Sequence, residues 1–557
     1  MRSFFASIVL VFLIYGRALW FGFVRPAEAE MAKAVGLVDT VGIFNGLMIN
    51  LSRISDDPSG FSALWRPTVN LVYLVSGWVG DGAAWPFHLF ALIALAVMAW
   101  RASVAVAPGA GRVLVLLLVC LHPMMGAAVM DVSAMPSLLL ATCSVFALTT
   151  NKWRSFWWTF AALGSHEAAI FLPFIAMAFS RNLRGEARGA HRWHWPALGV
   201  LAWLATQGIL AGAGLLTHAA IGFPQLDSAQ QSAALVWFYL GRLFVPFVPV
   251  YSRTLPMFEP PWPALAWVVL LLSLLLILRV GRSRKQPAGP GFAAGLVSIL
   301  LTLLGACGLW TEDPVYGEAI LAFPIVGLAW LLASRAPLRF GSWALVPIFA
   351  GLSFMRVSVW ATPVQLWAES HKAVPQDLMV AFEYGRRIVH SEPAKAVGIL
   401  EHVLAGEGEP KRRWLSHEGI IKAWLSLDEE RRALPHLAEL ADPNDAENAW
   451  LLVRRCLLET KHGVDEADYA IGKVLAPLAQ VCQESARRYP QDARLVNAAG
   501  MEAAMRGDSE QARYFLQLAV QLAPHDARYR RNFSRIPMNV TGWGQEGPIS
   551  PDPSAAP

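Results

Sequence analysis

Apolar runs separated by short polar turns recur along the chain as far as Trp360, after which amphipathic helical periodicity takes over. A helix needs about 20 predominantly apolar residues to cross a bilayer. The runs predict membrane helices at 4–23, 87–100, 113–122, 135–148, 195–216, 262–278, 292–309, 319–332 and 343–360. The stretch 156–180 is interrupted by Gly164-Ser165-His166-Glu167 and reads as two short helices meeting at a polar tip. The stretch 233–250 carries Arg242, Pro246 and Pro249 and reads as a broken or re-entrant helix. The pattern predicts about ten to twelve crossings. Between the first two runs lies a long amphiphilic loop, 25–70, rich in carboxylates.

Beyond 362 the period changes. Residues 363–536 are charged, Ala/Leu-rich and helical in spacing, and the Gly/Pro/Ser-rich end, 537–557, reads as a disordered tail. Pro490 and Pro524 stand 34 residues apart, the tetratricopeptide period. Within 493–526, Val496, Ala499, Gly500, Ala503, Ala512, Leu516 and Ala519 occupy the positions where two antiparallel helices must approach closely. Arg506-Gly507-Asp508 supplies the turn. Less regular units are expected at 377–404 and 418–443, with a longer helix pair at 450–489. The predicted fold is therefore all-α: a membrane domain, 1–362, followed by a helical-repeat solenoid.

Composition supports this division. The chain is 55% hydrophobic and only 16% charged, which excludes an ordinary soluble protein. The net charge of +5 is not a nucleic-acid signal, because the basic residues cluster between apolar runs. The clusters at 101–112, 152–154, 181–192, 280–285 and 335–339 mark cytoplasmic turns. That topology puts the 25–70 loop and everything after Trp360 on the external face. For a bacterial inner membrane, this face is the periplasm. Several of the 23 tryptophans fall near run ends, as in an interfacial belt. The first run, despite Ala27-Glu28-Ala29 after it, is expected to remain as an uncleaved span. The five cysteines form no CxxC; Cys120, Cys143 and Cys307 read as small apolar residues. Cys456 and Cys482 share the soluble region and would pair only in an oxidising compartment.

Candidate chemistry gathers at the expected external ends. Glu28, Asp56 and Asp57 are candidate general bases, or ligands holding a divalent cation against a phosphate leaving group. Arg66, His88, His122, His166 and Glu167 interrupt or end apolar runs and would line a cavity there. Arg242 and Arg253 would clamp a lipid-linked phosphate or snorkel toward headgroups. No Gly-rich phosphate loop, nucleophile elbow or HExxH occurs, so a cytosolic nucleotide-sugar enzyme and a zinc peptidase are not supported.

These segments carry a resemblance. Leu64-Trp65-Arg66-Pro67-Thr68, Trp85-Pro86-Phe87-His88-Leu89, Leu121-His122-Pro123, Ser165-His166-Glu167 and 243–251 occur in the order of corresponding motifs in the GT-C membrane glycosyltransferases. The chain most resembles the transmembrane-and-tetratricopeptide-repeat O-mannosyltransferase type. The resemblance implies sugar transfer from a polyprenyl-phosphate donor at the external face. A carboxylate of the first loop would act as base, basic residues would hold the donor phosphate, and the repeats would bind a protein partner or acceptor. The chain departs from the pattern where the family has an Asp pair after the first span, reading Val24-Arg25-Pro26-Ala27-Glu28. It also has Gly126-Ala127-Ala128-Val129 and Ala134-Met135-Pro136-Ser137 where the family carries a Glu, an Arg and an Asp. Two functions stand as expectations: a lipid-linked-sugar glycosyltransferase, or a catalytically inactive scaffold recruiting a partner through its repeats. A transporter would show an internal inverted repeat, and none is visible.

Overall fold

The structure is a computed structural model. It describes residues 2–23, 66–106, 108–150, 153–180, 193–212, 236–244, 246, 265–269, 291–306, 318–334, 341–406, 408–440, 482–483, 486–487, 490–505 and 507–536. Every regular element among them is helical. The chain divides into two compact units, Met1–Val380 and Ala381–Pro557.

In the first unit, α1 (Arg2–Tyr15) continues as a 3-10 turn to Trp20. There follow α2 (Pro67–Gly80), α3 (Trp85–Val104), α4 (Ala110–Leu121), the short α5 (Met125–Met130), α6 (Met135–Thr149) and α7 (Trp153–Leu163). Then come α8 (Leu172–Ser180), α9 (His194–Gly212), α10 (Gly291–Ala306), α11 (Ala322–Ala333), α12 (Leu345–Val359) and α13 (Pro363–Ala373). Proline in the first turn starts α2, α3, α6 and α13, where its missing N–H has no partner to lose.

Among the described residues, three helices are long and apolar enough to cross a membrane: Arg2–Trp20, Trp85–Val104 and Val132–Thr149. A fourth arises if α12 and α13, which bend by 117° at their junction, count as one span. The helices Ala110–Leu121, Ala168–Met177 and Ala319–Ala333 are apolar but shorter than a full crossing. The sequence pattern locates these helices to within a few residues, reading 87–100 shorter than the observed Trp85–Val104 and 135–148 close to Met135–Thr149. At 156–180 the expected break is present, with α7 stopping at Leu163 and a 3-10 turn from Glu167 leading into α8. In the 233–250 stretch residues 236–244 are helical and Pro246 is not.

Helix direction gives this body two chemically distinct ends. At one, Arg101 donates to the hydroxyl and carbonyl oxygens of Thr149, at 2.8 and 2.6 Å. Trp330 donates to the Ala102 carbonyl nearby, and Phe4 packs edge-on against Trp100. At the other lie Tyr15, His88, His122 and the start of α6. Between α10 and α11, Gly295 and Gly327 face one another; a Cβ on Gly327 would sit 2.6 Å from the Gly295 carbonyl. Backbones approach this closely only where side chains are absent, the small-residue packing of membrane helices.

Sequence pattern assigns 25–70 to a loop, but its last residues already belong to α2. One face of α2 is buried through Val69, Val72, Tyr73 and Ser76, while Leu71, Val75, Trp78 and Val79 remain exposed on the other.

The second unit consists of helical hairpins. Helix α14 (Leu378–Ile388) spans the unit boundary and is followed by α15 (Pro393–Gly406), α16 (Pro410–Ser426) and α17 (Glu430–Leu440). Further along the chain come α18 (Ala493–Met505), α19 (Ser509–Leu522) and α20 (Ala527–Ser534). Helices α18 and α19 pack on Val496, Ala499, Ala503, Ala512, Leu516 and Ala519, all fully buried. The turn between them uses Gly507 at φ 82°, and the Asp508 carboxylate accepts from the Gln511 N–H to start α19.

A small clasp occurs twice. The Asp492 carboxylate accepts from the backbone N–H and the guanidinium of Arg494, at 2.9, 3.0 and 2.6 Å. At Asp526 and Arg528 the same three bonds recur at 2.8, 3.2 and 2.8 Å. The two clasps are 34 residues apart, like Pro490 and Pro524, so the repeat period is present in the capping geometry.

Candidate functional site

The polar groups of the body concentrate around a buried break in the chain, 122–134. Pro123 forces His122 into extended backbone and ends α4, leaving carbonyls of its last turn without helical partners. Side chains from distant segments meet them. The Ser353 hydroxyl on α12 donates to the Leu121 carbonyl at 2.7 Å, and the Tyr15 hydroxyl on α1 lies 3.3 Å from the His122 carbonyl. Tyr15 and Ser353 are themselves 3.3 Å apart. Downstream, the ring of His88 binds the Val129 carbonyl through Nδ1 at 3.1 Å, and the Tyr73 hydroxyl donates to the Val132 carbonyl at 2.9 Å. Asp131 folds back to accept from the N–H and hydroxyl of Ser133, at 3.0 and 2.6 Å.

His122 joins two breaks. Its Nδ1 accepts from the Met124 N–H at 3.3 Å, which fixes the proton on Nε2; that nitrogen donates to the Leu243 carbonyl at 3.1 Å. Leu243 lies in the last turn of the 236–244 helix, where Pro246 supplies no backbone donor. Arg356 on α12 donates to the Pro246 carbonyl at 3.2 Å and contacts the Met124 sulfur. The ring of Phe349 stands edge-on to His122 at 4.8 Å. His88 and His122 are each 1% exposed and Arg356 is 4% exposed. These groups thus replace the water that would otherwise solvate broken helix ends.

A second meeting point lies where the carboxylate-rich loop returns. Arg66 is the residue before α2, half-buried. Two residues on, Thr68 donates through its N–H to the Gly164 carbonyl and through its hydroxyl to Ala161, at 3.1 and 3.0 Å. A Cβ on Gly164 would come 2.6 Å from the Thr68 hydroxyl, so glycine is what permits this contact. His166, two residues further, accepts from the Ala168 N–H through Nδ1 at 3.1 Å and thereby caps the 3-10 turn. The fold therefore brings the Arg66-Pro67 and Ser165-His166 motifs together. The start of the same loop is close to His88, because the Phe23 ring packs edge-on against Phe87 at 5.8 Å.

Arg242 lies in the 236–244 helix, its guanidinium 5.4 Å from the centre of the Phe238 ring. Glu28, Asp56, Asp57 and Arg253 lie outside the described residues, as does the side chain of Glu167. Among the described residues no group of His, Cys, Asp and Glu could hold a metal ion. Tyr15, Tyr73, Ser353 and Arg356 are the polar participants that sequence reading misses. Only Arg356, a charge inside an apolar run, offers a usable signal.

Where the resemblance expects a Glu and an Arg, the chain is buried, and Ser137, at the place of the Asp, is half-buried. Residues 124–130 are buried throughout and none is ionisable; Ala127 is 3% and Met135 1% exposed. Comparison of the chain with protein-family models, with curated proteins and with solved structures gives no match.

Proposed function

We propose that this protein is a catalytically inactive, GT-C-like membrane scaffold that recruits a protein partner through its terminal helical repeats. One observation carries the reading: residues 124–130 are apolar and buried, and the polar groups around them are engaged within the fold, His88, His122 and Ser353 with main-chain carbonyls and Asp131 with Ser133. A transfer site needs preorganised charge facing the leaving phosphate. Here His122, Arg356 and Tyr15 hold the fold together instead. The terminal unit is read as a tetratricopeptide-like solenoid, supported by the doubled Asp–Arg clasp at the tetratricopeptide spacing.

In this reading the shorter apolar helices are also membrane-embedded, giving about ten to twelve crossings. The end bearing Arg101 and Arg112 is cytoplasmic, as the positive-inside rule requires. The histidine end and the terminal unit then face the periplasm of a bacterial inner membrane. Leu71, Val75, Trp78 and Val79 of α2 would rest in the lipid interface.

A second reading, a polyprenyl-phosphate-sugar glycosyltransferase, is favoured by one feature. The loop bearing Glu28, Asp56 and Asp57 is anchored at both ends where Arg66, His88 and His166 lie. The two readings separate by assay of the full-length protein in nanodiscs with radiolabelled polyprenyl-phosphate mannose or glucose and a peptide acceptor. The scaffold predicts no transfer above the level of an empty nanodisc. Transfer abolished by Asp56→Asn, Asp57→Asn or Glu28→Gln would establish the enzyme. Photo-crosslinking in native membranes from position 514, exposed on α19, supplies the positive test. The scaffold predicts one dominant adduct there, and a diffuse ladder of products or none would count against it.

A further inference from the structure

Cys482 is disulfide-bonded. It is 3% exposed and packs with Ala486, Val496, Ala498, Ala499, Ala519 and Tyr529 in the core of the terminal hairpins. Cys120 and Cys143, buried in the membrane body, are free thiols. The chain has five cysteines, so within one chain the partner is Cys307 or Cys456, both outside the described residues. Cys456 belongs to the same compact unit as Cys482 and precedes it by 26 residues, whereas Cys307 belongs to the other unit.

We infer that Cys456 and Cys482 form a structural disulfide that staples the middle of the terminal unit to its last hairpins, and that this unit matures in an oxidising compartment. The inference does not rest on the scaffold reading; an enzyme with the same topology would carry the bond equally.

The chemistry requires an oxidised dithiol protein of that compartment as co-reactant. The thiolate of one cysteine attacks the co-reactant's disulfide and forms a mixed disulfide, releasing one co-reactant thiolate. The second cysteine then attacks the mixed bond and expels the other. Two thiols of this chain lose two protons and two electrons; the co-reactant leaves as a dithiol. Because Cys482 ends in a packed core, exchange is expected before the hairpins close fully. Disulfides persist in secreted and periplasmic proteins and are reduced in the cytosol, so the bond reports the compartment as well as the connection.

The test uses full-length protein in isolated membranes. The sample is denatured in N-ethylmaleimide to block every free thiol, including Cys120 and Cys143. It is then reduced and treated with a polyethylene-glycol maleimide that retards migration once per released thiol. Wild type and Cys307→Ser should each gain two adducts; Cys456→Ser and Cys482→Ser should gain none. Unmodified wild type would overturn the bond, and adducts surviving in Cys456→Ser would overturn the pairing. In a host lacking the periplasmic dithiol oxidant the adducts should fall several-fold; an unchanged yield would overturn the compartment assignment. Limited trypsin digestion reads the stapling role. Reductant should accelerate cleavage in 490–536 severalfold in wild type and leave Cys482→Ser unaffected, and equal rates in wild type with and without reductant would remove that role.

Discussion

The membrane body and the terminal hairpins meet the same requirement, pairing backbone groups at helix ends, by opposite means. In the body, the partners of the 122–134 break come from α1, α2, α3 and α12, so Tyr15 and Ser353 are separated by 338 residues. In the terminal unit helix starts are capped from within a few residues, as Asp508 serves Gln511 and Asp526 serves Arg528. The medium accounts for the difference. Inside the buried body no water reaches a broken helix, so the fold brings side chains to its free carbonyls. At an aqueous surface a local carboxylate suffices, and water completes the rest. The body is therefore vulnerable at single long-range polar residues, and the hairpins at their close-packed small ones.

The largest effect should come from the body. His122→Ala removes bonds to both Met124 and Leu243 and leaves a cavity beside Phe349. It should cost about 3 kcal/mol, read as a lowered unfolding midpoint of detergent-solubilised protein. A midpoint equal to wild type would erase the contrast between long-range and local capping. In the hairpins, a Cβ at Gly500 would lie 2.7 Å from the Leu516 side chain and 3.0 Å from its backbone nitrogen. Gly500→Leu should cost roughly 2 kcal/mol, measured by denaturant titration of tryptic protection in 490–536.

The smallest effect is a pH dependence confined to the second unit. His417 on α16 and His436 on α17 approach through their Nδ1 atoms at 2.9 Å, so one Nδ1 carries a proton and the other accepts it. Burial holds both below the ordinary histidine pKa, and for His417 the neighbouring ring and Arg413 add to the lowering. Glu439 opposes it for both rings, as does Glu401 for His436. The unfolded chain thus takes up protons at a pH where the folded hairpin does not. Stability is full above about pH 6.5 and declines as pH falls below it. Hydrogen exchange of α16 and α17 between pH 7.5 and 5.5 should show this decline, and His436→Phe should flatten it.

How much of this was legible in the sequence tracks the same divide. Local patterns carried: the break at Gly164, the long spans and the 34-residue spacing of Pro490 and Pro524 all rest on residues close in the chain. Helix α2 did not, because Leu71 to Val79 is apolar on both faces and has no clear period until one face is seen to be buried. The candidate histidines were legible as polar residues in apolar runs, but their partners were not. Nothing in the local sequence couples His122 to Leu243 or Arg356 to Pro246. His166 was found because it interrupts a run, and its meeting with Arg66 emerges only through the Thr68–Gly164 contact.

The duplicated Asp-Ala-Arg clasp has a consequence for how this protein can change over time. Each copy closes on itself, its carboxylate and guanidinium only two positions apart, so neither clasp needs any residue later in the chain. A duplicated 34-residue segment placed after Asp526 would arrive with its own closure already encoded. The tail of the molecule is a place where length can be gained or lost by whole modules, while the body, laced across hundreds of residues, must be inherited entire.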